Sequence, residues 1–415
     1  MPVATFTSLM GPHFLQEPRE VHGPWRKVML AAAGPGPGMA SLVPGVREVM
    51  GRHVAAWEAA GRVELYDSAR RMGLDLSVDV LTGVTQAGLT EGTIDMGWFK
   101  DQMGIFLHGL YGLPLPLPGS PLAKGLAAKE AILSRLEPLF RDKHERFAKE
   151  WAALGGSASA MAARLTEGPA PPTLEQGYQL GFQAKGMTTL RDTATSVLHS
   201  VMAAADTTRF ALLHTWVLLA MSPRVQEECF KEQQKVIAEY GDEISYKAVM
   251  NMPYLEATFK ECLRLFPPSS GGFRLLTRDV SVGGQTLPAG TTVWYHALLL
   301  QMLDPVLWDG RTDYDLPPHM DWKGNFEGAF KPERWLSDDT KPRHFYVFGS
   351  GAHLCAGMQL TTLEVKMLLA MLVRRFVMQL EVPDMLNKAS VFPYTVPAKG
   401  TDGLRLVPRE QPLPW

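Results

Sequence analysis

Cysteine is scarce in this chain. Cys229, Cys262 and Cys355 are the only three in 415 residues, widely spaced and without a Cys-x-x-Cys pair. An odd, scattered set excludes a disulfide framework and a cysteine-built zinc site, and it fits reduced thiols. Long apolar runs are missing too: the longest, Ala211–Met221, carries His214 and falls well short of the roughly 18 residues that a membrane span needs. Met1–Leu15 contains no Lys or Arg, so the basic-then-apolar start of a secretory signal is not visible. Neither sign of charge dominates. The 41 Lys+Arg against 43 Asp+Glu leave a formal net charge of −2, which sets up no field toward nucleic acid. A mixed-sign cluster, Arg141–Lys149, reads as a solvated helix face. No period of roughly 20 to 50 residues repeats and no low-complexity tract exceeds about a dozen residues, which removes solenoid and linker-rich architectures.

What is present is an ordinary soluble globular composition, 46% hydrophobic, enough to build a sizeable core. Apolar residues recur at three- and four-residue spacing over Val46–Ala60, Gly125–Lys149, Thr188–Met221, Pro223–Tyr240, Tyr254–Leu265 and Cys355–Phe376, which predicts helices there. Gly34-Pro35-Gly36-Pro37-Gly38 and Leu113-Pro114-Leu115-Pro116-Leu117-Pro118-Gly119 cannot continue a helix, and they read as connectors within one fold. Strand signals are few. They lie between Phe273 and Tyr295, around Gly-Gly and Pro-Ala-Gly turns, and near Val377–Val382 and Leu404–Val407. The expected class is mainly α with a minor β-sheet, organised as a single domain over residues 1–415.

The most informative segment is Phe348-Gly349-Ser350-Gly351-Ala352-His353-Leu354-Cys355-Ala356-Gly357, a glycine-rich loop ending in a cysteine at the start of an amphipathic helix. A helix N-terminus presents backbone N–H groups and the positive end of the dipole, which favours a thiolate. Gly349, Gly351 and Gly357 would let the backbone run close against a flat cofactor. Alone, a glycine-flanked cysteine is ordinarily a small buried residue, and the full ten-residue pattern sets this one apart. Two other constellations are weak in isolation. Glu261-Cys262-Leu263-Arg264 puts an acid and a base on one helical face, usually a surface pair worth under about 1 kcal/mol. Asp206-Thr207 lies in mid-helix after Ala203-Ala204-Ala205, where a Thr bonding one turn back ordinarily serves packing or solvent.

Together these motifs resemble the cytochrome P-450 superfamily, whose haem-binding loop has the form Phe-x-x-Gly-x-x-x-Cys-x-Gly, here Phe348, Gly351, Cys355 and Gly357. The resemblance implies that Cys355 is the axial thiolate of a b-type haem and that His353 donates to a haem propionate. Glu261, Arg264 and Arg334, in the family's order before the cysteine loop, are implied to form a buried triad that holds the loop. Asp206 and Thr207 are implied to relay protons to iron-bound oxygen. His22 and Arg26, four residues apart, and Arg274 resemble the family's propionate-binding residues. Gly271-Gly272-Phe273-Arg274, the Leu-Pro repeat and Ser8-Leu9-Met10-Gly11 are similar to a narrower group: retinoic acid hydroxylases, their cyanobacterial relatives and plant steroid or terpenoid oxidases. Position alone suggests Val197, Ser200, Ala203, Ser270, Gly271 and Phe392 as pocket residues.

The implied activity is insertion of one atom of O₂ into a hydrophobic, isoprenoid-type substrate (retinoid, carotenoid, sterol or terpenoid). Electrons come from NADPH through a reductase or ferredoxin, and the chain is expected to be a monomer that binds no nucleic acid. Three rivals stand beside this reading: a haem-thiolate isomerase or dehydratase, against which Asp206 and Thr207 count; a truncated, non-catalytic haem binder; and a haem-free metal site on His353 and Cys355. The last lacks further ligands at normal spacing. Localisation stays open, with the endoplasmic-reticulum membrane or a plastid implied for a full-length form. The chain also departs from the family pattern. Family members begin roughly 80 to 100 residues earlier, so a P-450 fold shortened at its N-terminus is expected, without the usual anchor, first helix and part of the main sheet. Ala204 stands where Gly is common, Met302 where His is common, and the polar stretch Asp309–Ala329 reads as a surface insertion.

Overall fold

Paired glycines set how closely two helices of the first unit approach. In the computed structural model, which describes residues 3–10, 19–81, 95–110, 112–187, 189–313, 315–390 and 396–415, a Cβ on Gly109 or Gly125 would lie 3.0 Å from the other's Cα. Helices Met96–Gly109 and Pro121–Ala153 therefore meet backbone to backbone at that point. The chain divides into two compact units, Met1–Met50 with Arg70–Asp206, and Gly51–Ala69 with Thr207–Trp415. In the first, helix Arg19–Ala33 packs on Leu174–Ala184. Gly177 fits there because a Cβ would come within 2.6 Å of Met29 Sδ. Val28, Phe147, Met161, Ala162, Leu165 and Leu180 form a core cluster in this unit.

The second unit is built around helix Met358–Arg375, along which every residue from Leu363 to Arg374 is buried. A helix buried all round is a core helix, and Pro223–Tyr240 and Pro253–Leu265 pack against it. Its chain continues into a three-stranded antiparallel sheet ordered Arg62–Glu64, Gly403–Pro408, Phe376–Leu380. Gln226 supports that junction, donating to the Met378 carbonyl at 3.0 Å and accepting from the Met378 N–H at 2.8 Å. Two ribbons complete the β structure: Val280–Val282 with Gln285–Leu287, and Gly271–Leu275 with Thr292–His296. In the second ribbon Gly272 faces Tyr295 and Arg274 faces Val293. Side chains alternate along strands, so these four share one face while Phe273 and Trp294, stacked at 5.9 Å, take the other.

The mainly α class with minor sheet is as expected, with informative differences at the edges. One helix runs Pro37–Ala60 instead of starting at Val46: Pro37 and Gly38, read as part of a connector, open it, and it continues through Pro44. The helix expected from Cys355 starts at Met358, leaving the cysteine in the loop before it. Strand Arg62–Glu64 went unforeseen, three residues being too few for a period to register. The segment read as a surface insertion is only partly so: His319, Met320 and Ala329 are buried.

His214 ties the long helix Leu190–Met221 to the end of helix Pro253–Leu265. Its Nδ1–H donates to the Phe266 carbonyl at 2.8 Å, and its ring lies between Phe210 and Phe266. Burial pushes its pKa down to about 4, the hydrogen bond to Phe266 only partly opposing this. The folded state therefore favours neutral imidazole. This contribution is complete above about pH 6.5 and disappears as pH falls through 4, amounting to roughly 3 kcal/mol. Urea unfolding of His214→Gln should show an acid dependence flatter by about that amount between pH 7 and 4; equal dependence in both proteins would remove His214 as the cause.

Candidate functional site

The cysteine loop owes its shape to two glycines in the left-handed region, Gly349 at φ 77° and Gly351 at φ 69°, conformations that side chains with a Cβ resist. A short 3-10 turn, Gly351–His353, leads to Cys355, whose N–H donates to the Phe348 carbonyl at 2.8 Å. Gly357 then caps helix Met358–Arg375. Cys355 and His353 are exposed and Phe348 half-buried.

Beneath the loop lies a buried charge cluster. Glu261 and Arg264, on helix Pro253–Leu265, are both fully buried. Arg264 donates to Glu261 through Nε and Nη2, each at 2.9 Å, and to the Ala329 carbonyl at 2.6 Å. Arg334 Nε donates to Glu261 Oε1 at 2.8 Å, Trp335 Nε1 to Oε2 at 2.8 Å, and the Lys331 N–H to Oε1 at 3.0 Å. Burial alone would raise the Glu261 pKa, but the Arg264 and Arg334 guanidiniums and these hydrogen bonds hold it below the ordinary carboxylate value. From Trp335 the packing runs edge-on to Phe345 at 4.8 Å and then to Phe348 at 6.4 Å, reaching the loop that carries Cys355.

A second clamp holds the loop's approach. Asp304, fully buried, accepts from the N–H groups of Arg343 and His344, both at 2.6 Å, and of Val306 at 2.9 Å. Neither Asp304 nor Trp335 was singled out from sequence, although Trp335 directly follows Arg334. Asp304-Pro305 gives no local sign that its hydrogen-bond donors lie some forty residues ahead. Met320 and His319 were also missed. Arg264 Nη1 meets Met320 Sδ at 3.1 Å, and His319 Nε2 lies 3.3 Å from the Gln301 carbonyl.

The remaining sequence-derived residues divide between the units. In the first, His22 is buried against Trp25, ring centroids 5.1 Å apart, and Arg26 is half-buried on the same helix. Val197 is buried, and Ser200 is hydrogen-bonded to the Tyr178 hydroxyl. Ala203 is exposed and Asp206 half-buried, on a helix that runs unbroken from Leu190 to Met221. In the second unit Thr207 is exposed on that helix, and Ser270 is half-buried. Arg274 is exposed, its guanidinium 5.2 Å from the Tyr295 ring. Gly271 abuts the Tyr295 carbonyl so closely that no Cβ would fit. Phe392 lies outside the described residues. A cavity of about 330 Å³ in the first unit, walled by Arg70, Lys100, His108 and Lys124, contains none of these residues.

The protein-family model described as Cytochrome P450 matches residues 173–315 and 328–397, more than half of the chain. The chain belongs to the cytochrome P450 family. It is accordingly an oxidoreductase, a monooxygenase whose cofactor is haem b. Putative cytochrome P450 120 of Synechocystis is 27% identical to this P450 over 89% of the chain and 73% of its own length. Cytochrome P450 26B1 of Danio rerio is 26% identical over 96% and 72%, and beta-amyrin 28-monooxygenase CYP716A378 of Saponaria officinalis 22% over 89% and 69%. Among solved structures, retinoic acid bound cyanobacterial CYP120A1 superposes with a TM-score of 0.74 at 23% identity, covering 99% of this chain and 84% of that one.

The cysteine loop fits the family's cofactor. A Cβ at Gly351 would meet nothing within 4 Å, and one at Gly357 would lie 3.9 Å from Cys355 Sγ, so a flat macrocycle meets little beside the sulfur. Thiolate is a soft ligand suited to iron. Among the described residues no group of three or more His, Cys, Asp or Glu is placed to hold a metal, and no helix is long and apolar enough to cross a membrane.

Replacing Glu261 with Gln keeps the shape but leaves two buried guanidiniums facing a neutral group. Such breakage typically costs about 3–5 kcal/mol, so Glu261→Gln should lower the urea midpoint markedly at pH 7. An unchanged midpoint would show that the buried charge is dispensable.

Proposed function

We propose that this P450 oxidises a hydrophobic, isoprenoid-type substrate, a retinoid or a triterpenoid, and that Cys355 Sγ would hold the haem iron. The observation that carries the reading is the exposed cysteine in a loop cleared by Gly349, Gly351 and Gly357 and fastened from below through Phe348. The substrate class rests on likeness: one relative is named beta-amyrin 28-monooxygenase, and a solved structure of the same fold holds retinoic acid. Electrons are proposed to come from NADPH through a separate reductase or ferredoxin.

Bound haem supplies the iron at which O₂ is reduced by two electrons. The chain's part is to ligate, orient and deliver protons. Cys355 would hold the iron and supply thiolate charge to it, and His353 and Arg274, both exposed, are suited to bind carboxylates. The Thr207 hydroxyl can hold a water and pass on its proton, while the adjacent Asp206 carboxylate, half-buried, takes protons from solvent. The Glu261, Arg264 and Arg334 cluster touches no reacting group, and its role is to hold the loop.

The carbon monoxide difference spectrum of the dithionite-reduced protein tests the ligand directly. The native chain should give a strongly red-shifted Soret band and Cys355→Ala should not; a red-shifted band surviving in the variant would remove Cys355 from the iron. With a retinoid or triterpenoid bound, Thr207→Ala should keep its haem but divert the consumed NADPH to hydrogen peroxide. Tight coupling in that variant would contradict the relay.

A further inference from the structure

Two glycines on separate elements leave room for one phenol. Tyr295 projects from strand Thr292–His296, and a Cβ at Gly272 on the neighbouring strand would lie 2.7 Å from its Oη. A Cβ at Gly349 in the cysteine loop would lie 3.3 Å from the same oxygen. The register puts Gly272, Arg274, Val293 and Tyr295 on one face of the ribbon. The Gly349 distance shows that this face reaches the loop. Arg274 stands beside the phenol, its guanidinium 5.2 Å from the Tyr295 ring, with Nη1 donating to the Phe273 carbonyl at 2.8 Å. A fork of cationic donors and a hydroxyl donor thus lie together at the edge of the glycine-cleared loop, six residues before the ligand cysteine. This combination recognises a carboxylate, since N–H and O–H groups bind an ionised acceptor more strongly than a neutral one.

We propose that Tyr295 donates its Oη–H to a carboxylate of the haem, beside Arg274. The assignment rests on the haem-thiolate reading and adds to it a residue that neither the motifs nor the comparisons single out. On this account Gly272 and Gly349 are small because the phenol needs both positions. The carboxylate gains a neutral donor whose strength does not depend on a long, flexible side chain. The ring is half-buried between strand and loop, so losing the hydroxyl removes the hydrogen bond while leaving the packing in place.

The test is the rate at which haem leaves Tyr295→Phe for excess apomyoglobin. The carbon monoxide spectrum is recorded first on both proteins. A native protein without the red-shifted band would overturn the haem-thiolate reading itself, and the Tyr295 assignment with it. With that band present in both, the variant should lose haem about tenfold faster, the size expected when one hydrogen bond to a charged group disappears. A rate within twofold of native would overturn the assignment. The same pair reconstituted with haem dimethyl ester provides the control that a packing role would not satisfy. With the carboxylates esterified the two proteins should release the cofactor at equal rates; a difference that persists would mean that the phenol acts by packing and not by binding a carboxylate.

Discussion

The Glu261 carboxylate accepts five N–H groups, from Arg264, Arg334, Trp335 and the Lys331 backbone, and these come from two stretches of chain some seventy residues apart. Removing a carboxylate and two guanidiniums from water is costly. The arrangement persists because every lone pair in reach is used and the charges offset one another at contact distance. Such a cluster is a poor source of net stability and a good source of position, since any displacement strands a buried charge. Its aromatic extension, Trp335 to Phe345 to Phe348, passes that position to the cysteine loop. Asp304 does the same from another side, fixing the backbone of Arg343 and His344 just ahead of it. The exposed loop is thus backed by Glu261, Arg264 and Asp304, all fully buried, through half-buried aromatic rings.

Helix Met358–Arg375 has a complementary part. Ahead of it the chain must be open, glycine-rich and accessible, while its own residues from Leu363 onward are buried on every side. The change from one environment to the other takes place within about two turns of helix. This places the Cys355 sulfur on a rigid support without burying it, an arrangement that reactive thiols and ligand thiolates require.

Much of this was legible in the sequence where short-range chemistry decides. Helix Pro223–Tyr240 was read to the residue from its apolar spacing, and in the structure Ser222, Pro223 and Gly241 mark its ends with a side-chain cap, a first-turn proline and a positive-φ glycine. The start at Met358 was less visible, since the amphipathic pattern runs on through Cys355 while the backbone does not. Pro37 misled in the opposite sense: read as part of a connector, it opens a helix, a position where its missing N–H costs nothing. In the site, Glu261 and Arg264 could be paired from their spacing, but Trp335 and Asp304 act through partners tens of residues distant. No local pattern encodes that reach. Tyr295 shows the same limit, because its meaning lies in the two glycines that make space for it.

The stretch from 316 to 327 falls between the two parts of the chain that the family model covers. It nevertheless supplies Met320 to the Arg264 guanidinium and His319 to the carbonyl of Gln301. An addition to an existing fold is expected to stay on the outside, where it can come and go at little cost. This one reaches the interior at His319 and Met320 and touches the fully buried Arg264. Once a loop shares contacts with the core it ceases to be optional, and the surrounding residues are free to drift until they depend on it. Its length and composition then become part of what the fold inherits, so that trimming the loop back to a family average would open a hole beneath a buried charge.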